Sequence, residues 1–121
     1  MASRLQQVSS HLAPSDQIAN KVGVKSPEDI VIVGALRTAI TRARKGGFKD
    51  TLPEEMLAGV LKGLIEQTKV DPAVVNDIVV GNVLPPGGGA TNARMATLYA
   101  GFPENSAVNT VNRQCSSGLQ A

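Results

Sequence analysis

Hydrophobic and polar positions change character along the chain. Residues 1–28 are polar and rich in Ser and Gln, with Pro14 and Pro27 as breakers and no core pattern. They read as a flexible extension ending near Ser26-Pro27. The packed part begins at Asp29. Ile30-Val31-Ile32-Val33 is a continuous β-branched run followed by Gly34, which predicts a first strand buried on both faces. A Gly- and Arg-rich loop follows over residues 37–50. Thr51-Leu52-Pro53-Glu54 then predicts a helix start, with Thr51 as cap, Glu54 completing a capping box and Pro53 in the first turn, where its missing N–H is harmless. Met56, Leu57, Val60, Leu61, Leu64 and Ile65 recur at helical spacing and define one apolar face, running out near Lys69.

Ile78-Val79-Val80, continuing through Gly81-Asn82 to Val83-Leu84, predicts a second strand. Pro85-Pro86-Gly87-Gly88-Gly89 reads as a turn into a second helix over about Thr91 to Tyr99, ended by Gly101 and Pro103. A third strand is expected at Ala107 to Val111, and Asn112 to Gly118 as a strand-to-helix turn. The order is β-α-β-α-β with the start of another helix, an α/β class with a parallel sheet and right-handed crossovers. Buried parallel strands need helices on both faces, and residues 29–121 supply two helices and one beginning. The sequence reaches Ala121 inside the third helix without a stop signal, so it reads as a cut fold.

Composition narrows the function classes. A chain of 121 residues, 42% hydrophobic and 18% charged, fits at most one domain and neither a disordered nor a membrane profile. Its best apolar run, Ile30 to Ile40, is interrupted by Arg37 and falls short of the ~20 residues a spanning helix needs. Residues 1–28 hold no apolar core of an export signal. The net charge of +2 is unevenly spread, with Arg37, Arg42, Arg44, Lys45 and Lys49 crowded into one loop. Without interleaved aromatics, that cluster reads as a solvated loop rather than a nucleic-acid surface. Gly87-Gly88-Gly89 lacks the Lys-Ser/Thr of a P-loop and the spacing of a dinucleotide fingerprint, so it reads as a plain turn. One cysteine and one histidine, Cys115 and His11, exclude an internal disulfide, a multi-thiolate zinc site and a dithiol redox centre.

Cys115 is the candidate for chemistry. It follows a strand and lies at or beside the first turn of a helix, where unpaired N–H groups favour a thiolate. Ser116-Ser117-Gly118 keeps the neighbouring side chains small, leaving room for a substrate to approach the sulfur and the Cys115 N–H. On spacing alone, a buried structural cysteine competes with a nucleophile.

The segment Asn112-Arg113-Gln114-Cys115-Ser116-Ser117-Gly118-Leu119-Gln120-Ala121 resembles the nucleophile segment of thiolases, specifically the peroxisomal 3-ketoacyl-CoA thiolases. Arg37-Thr38, Gly46-Gly47-Phe48-Lys49-Asp50, Gly81-Asn82-Val83-Leu84, Ala93-Arg94-Met95-Ala96 and Ala100-Gly101-Phe102-Pro103 extend the resemblance nearly continuously over residues 29–121. Ala39 departs from the proline of many relatives, and Gly88 and Asn92 fall in a variable loop. The resemblance covers the first quarter to third of a complete family member. It implies a thiolase-like fold of which only the first βαβαβ portion of the N-terminal half is present. It also implies acyl transfer through a Cys115 acyl-thioester, with the Cys115 N–H in the oxyanion hole. Coenzyme A is then a cosubstrate; no bound cofactor or metal is implied, and the CoA-gripping loop lies outside these residues. The activating histidine and second acid/base cysteine of the family have no counterpart here, so the chain alone is expected not to turn over. A homodimer is implied for the complete protein. The competing expectation is a truncated, non-catalytic product that keeps its import signal and associates with full-length subunits.

Arg4-Leu5, five residues, then His11-Leu12 resembles the N-terminal peroxisomal targeting signal. On a helix Leu5, Val8 and Leu12 share one face with Arg4 and His11 beside it, a stripe that an import receptor groove can read. A mitochondrial presequence is the runner-up, because the first fifteen residues carry no acid, although Arg4 is their only arginine.

Overall fold

The structure, a computed structural model, describes residues 23–121. The chain divides into two compact units, Met1–Val31 and Ile32–Ala121. In the described part of the first, Ser26 and Asp29 close a small turn. The Ser26 N–H donates to Asp29 Oδ2 at 2.8 Å, and the Asp29 N–H to the Ser26 carbonyl at 3.1 Å.

The second unit begins its regular structure with helix α1, Pro53–Thr68. The expected start is displaced by one residue. Leu52 is the extended cap residue, and its N–H donates to Glu55 Oε2 at 2.9 Å. Thr51 and Glu54 therefore do not form the box. Glu54 instead accepts from Asn92 Nδ2 at 3.0 Å and ties α1 to the next helix. Lys69 ends α1 in the left-handed region at φ 57°, with its N–H on the Ile65 carbonyl. A short 3₁₀ turn, Pro72–Val74, is capped by the Asp71 carboxylate. Strand β1 is Asp77–Gly81. Val83 and Leu84, expected to extend it, lie beyond its end and are exposed.

Pro86–Gly89 forms the anticipated turn, and all three of its glycines have positive φ. Helix α2, Ala90–Ala100, ends on Gly101 at φ 100°, a backbone geometry at which a β-carbon would be strained. Strand β2, Ala107–Val111, pairs parallel to β1 from Asp77↔Ala107 to Gly81↔Val111. The last element, α3, is the single turn Ser117–Gln120.

Ala93, Ala96, Thr97 and Ala100 are the buried residues of α2. Their spacing of three and four places them on one face, and α1 packs on α2 with Ala58 buried. Small residues let the two helices approach closely. The large residues on the α1 face, Met56, Leu57, Val60, Leu61, Leu64 and Ile65, are only half-buried.

The first expected strand is absent. Residues 30–33 carry no strand, and Ile30 and Ile32 are 102% and 91% exposed. A two-faced buried strand requires neighbours to complete its ladder and layers to cover both faces. Among the described residues the sheet contains only β1 and β2. The α/β parallel architecture thus stands with two strands in place of three.

Candidate active site

Parallel pairing brings the C-terminal ends of β1 and β2 to the same edge, the place where open α/β sheets receive ligands. The ladder continues one residue past β1, the Asn82 N–H donating to the Val111 carbonyl at 2.9 Å. Two turns leave that edge, the glycine turn after β1 and the Asn112–Ser116 turn after β2. Asn82 braces the first, its Nδ2 donating to the Gly88 carbonyl at 3.0 Å.

The second turn carries Cys115, which is a free thiol and exposed. Asn112 Oδ1 accepts from the Gln114 N–H at 2.9 Å, and Gln114 takes up φ 51°, a left-handed conformation costly for a residue with a β-carbon. The Ser116 and Ser117 N–H groups donate to the Arg113 and Gln114 carbonyls, each at 3.1 Å. These bonds pass over the Cys115 N–H, which meets no acceptor at hydrogen-bonding geometry among the described residues. The sulfur and its own backbone donor are left available. Cys115 precedes α3 by two residues.

Ser117 departs from the sequence reading. Its side chain does more than leave space: it is 4% exposed and turned inward. The hydroxyl accepts from the Arg113 N–H at 3.0 Å and donates to the Gln114 carbonyl at 2.7 Å, with the Asn82 carbonyl at 3.3 Å as a weaker third contact. One hydroxyl proton cannot serve both carbonyls fully, so the 2.7 Å bond dominates. Gly81 makes this docking possible. A β-carbon there would lie 2.6 Å from the Ser117 carbonyl carbon and oxygen and 2.8 Å from the Gly118 nitrogen. Serine type and strand glycine were visible in the sequence; which serine turns inward was not.

Arg94 secures the entry to β2. Its Nη1 and Nη2 donate to the Ser106 and Glu104 carbonyls at 2.7 Å each, while buried Ser106 donates to the Val75 carbonyl at 2.6 Å. Arg37, Arg42, Arg44, Lys45 and Lys49 are exposed, as a solvated loop would be. The expected targeting residues Arg4, Leu5, His11 and Leu12 lie outside the described residues. No cluster of three metal-ligating side chains occurs among the described residues.

Comparison with known proteins places these features. Residues 30–121 match the family described as "Thiolase, N-terminal domain". The chain is 61% identical over 95 residues to 3-ketoacyl-CoA thiolase 5, peroxisomal, of Arabidopsis thaliana, covering 78% of this chain and 21% of that protein. It is 45% identical over 127 residues to the peroxisomal 3-ketoacyl-CoA thiolase B of Rattus norvegicus, covering 98% of this chain and 30% of the relative. The crystal structure of the dimeric peroxisomal thiolase of Saccharomyces cerevisiae superposes with a TM-score of 0.77 at 42% identity, over 84% of this chain and 27% of that one. A second structure of that yeast enzyme, described as five layers built from two core domains of identical topology, gives a TM-score of 0.73. The chain thus spans between about a fifth and three tenths of the length of these curated relatives.

Proposed function

The chain belongs to the thiolase family, and from that premise we propose that it carries the nucleophile segment of a 3-ketoacyl-CoA thiolase, with Cys115 as the acyl-accepting residue. The observation that carries this reading is the turn after β2, which leaves the thiol exposed and its backbone N–H without an acceptor among the described residues. The Cys115 thiolate attacks the 3-keto carbon of a 3-ketoacyl-CoA. The tetrahedral oxyanion forms within reach of the Cys115 N–H. The bond between C2 and C3 breaks, and its electron pair leaves on the two-carbon fragment, which takes a proton and departs as acetyl-CoA. The acyl group stays on Cys115 as a thioester. The thiol of a second coenzyme A then attacks that thioester, releasing an acyl-CoA two carbons shorter and regenerating the cysteine. Covalent catalysis divides one difficult carbon–carbon cleavage into two easier transfers. Coenzyme A is a cosubstrate and is consumed in the second transfer.

The family resemblance also assigns proton transfers to a histidine and a second cysteine. His11 is the only histidine of these 121 residues and Cys115 the only cysteine. The chain alone accordingly supplies the nucleophile without turnover. A thiolysis assay of the purified chain with a 3-ketoacyl-CoA and coenzyme A is expected to show none; Cys115-dependent turnover would overturn this.

In the cell we place the protein in the peroxisome, in fatty-acid β-oxidation, addressed by Arg4, Leu5, His11 and Leu12 within an extension over residues 1–28. The peroxisomal relatives and the spacing of those four residues support this. The same likeness to a dimeric thiolase supports a homodimer of the complete protein. A fluorescent fusion of residues 1–28 is expected in peroxisomes, and changing Leu5 or His11 to disperse it; a mitochondrial signal indifferent to both changes would remove the address.

A further inference from the structure

The hydroxyl of Ser117 is almost fully buried, yet it lies two residues from an exposed cysteine and spends its bonds on that cysteine's own turn. It accepts the Arg113 N–H at 3.0 Å and donates to the Gln114 carbonyl at 2.7 Å, so both residues immediately before Cys115 are held by one side chain. It also touches the Asn82 carbonyl at 3.3 Å, at the end of the neighbouring strand. Asn82 in turn holds the glycine turn through Gly88. A continuous set of contacts therefore runs from the glycine turn through Asn82 and Ser117 to the backbone of the nucleophile turn. Gln114 sits within that set at φ 51°, a conformation that persists only where its surroundings over-determine it. Removing the Ser117 hydroxyl would leave the Arg113 N–H without its acceptor and the Gln114 carbonyl with the 3.1 Å bond from the Ser117 N–H alone. The nearest rearrangement is relaxation of Gln114, which rotates the peptide joining it to Cys115, the peptide whose N–H has no acceptor among the described residues.

We propose that Ser117 is a positioning residue that fixes the direction of the Cys115 N–H toward the developing oxyanion. The inference rests on the reading of Cys115 as nucleophile and goes beyond it by naming the side chain that orients the donor. Ser117 touches neither substrate nor sulfur in this role; it acts through the Arg113–Gln114 backbone.

Two reactions of the intact 121-residue chain separate orientation from exposure. Acylation of Cys115 by p-nitrophenyl acetate passes through an oxyanion, whereas alkylation by iodoacetamide does not. The ratio of their rates, referred to N-acetylcysteine, reads the backbone donor and cancels thiol accessibility and ionisation. The wild-type ratio is expected to exceed that of N-acetylcysteine. In Ser117→Ala it is expected to fall by about tenfold, a part of the 10²–10³ associated with losing a whole oxyanion donor, with alkylation changed less than about twofold. Ser117→Thr, which keeps the hydroxyl, restores it. Gly81→Ala displaces the same turn from the strand side and lowers the ratio without touching the hydroxyl, giving a second route if Ser117→Ala fails to fold by far-UV circular dichroism. A wild-type ratio equal to N-acetylcysteine overturns the Cys115 donor itself and the role of Ser117 with it. A raised wild-type ratio that the Ser117 and Gly81 variants leave unchanged, or acylation and alkylation rates that fall together in those variants, overturns the positioning role alone.

Discussion

Gly81→Ala tests the packing that seats the turn carrying Cys115. An ideal β-carbon at Gly81 lies 2.6 Å from the Ser117 carbonyl carbon and oxygen and 2.8 Å from the Gly118 nitrogen. Non-bonded carbons settle near ~3.5–4.0 Å, so relief requires a displacement of about 1 Å. These three nearest atoms are all backbone, and the Ser117 side chain behind them is hydrogen-bonded. Overpacking of this kind costs about 1–3 kcal/mol. Replacing glycine by alanine also restricts the unfolded chain, which returns roughly 0.4–1 kcal/mol where the native backbone suits alanine. The expected net loss is about 1–2 kcal/mol. With a urea m-value of about 1.5 kcal/mol/M, the unfolding midpoint of the chain falls by about 1 M. Urea titration followed by circular dichroism reads this directly. A midpoint equal to or above wild type would refute the close approach of α3 to the end of β1.

Gly59→Ala is the matched contrast: its β-carbon meets nothing within 4 Å inside α1, so the same titration should show stabilisation of roughly 0.5–1 kcal/mol. Gly34→Ala meets Leu64 Cδ1 and Thr68 Cγ2 at 2.9 Å each. Leu64 Cδ1 is a side-chain tip that can rotate away, whereas Thr68 Cγ2 shares its torsion with the hydroxyl that donates to the Leu64 carbonyl at 2.8 Å, so the loss should be about 1 kcal/mol, no larger than that of Gly81→Ala. Arg94→Met keeps the stem and removes both 2.7 Å bonds to the Ser106 and Glu104 carbonyls. A thermal melt should show a loss of about 1.5–3 kcal/mol, and an unchanged melting temperature would mean that the clamp is redundant.

Local signals in the sequence located the elements well where short-range chemistry decides them. The apolar spacing from Met56 to Ile65, Pro53 in the first turn and Gly101 after α2 mark helix positions through side-chain periodicity and backbone freedom, and α1 and α2 lie where those marks put them. The cap moved by one residue because Glu55 reaches the Leu52 N–H while Glu54 is drawn to Asn92, a residue 38 positions away. Ile30–Val33 has the composition of a strand, but composition does not provide a neighbouring ladder, and those residues are exposed. At the site, the place of Cys115 in a turn between a strand and a helix was legible in its surrounding segment. The inward rotation of Ser117 was not, because it depends on Gly81 and Asn82 from another strand.

Whether Cys115 is the acyl-accepting nucleophile of a thiolase can be read from a chimera. Residues 30–121 of this chain replace the matching segment of the Arabidopsis thaliana relative, and the product is assayed for thiolysis of a 3-ketoacyl-CoA by coenzyme A. The chimera is expected to turn over and to yield an acylated Cys115 peptide by mass spectrometry, with Cys115→Ser lowering kcat by at least about 10³. A soluble chimera without activity, or one whose turnover survives Cys115→Ser, would contradict the account.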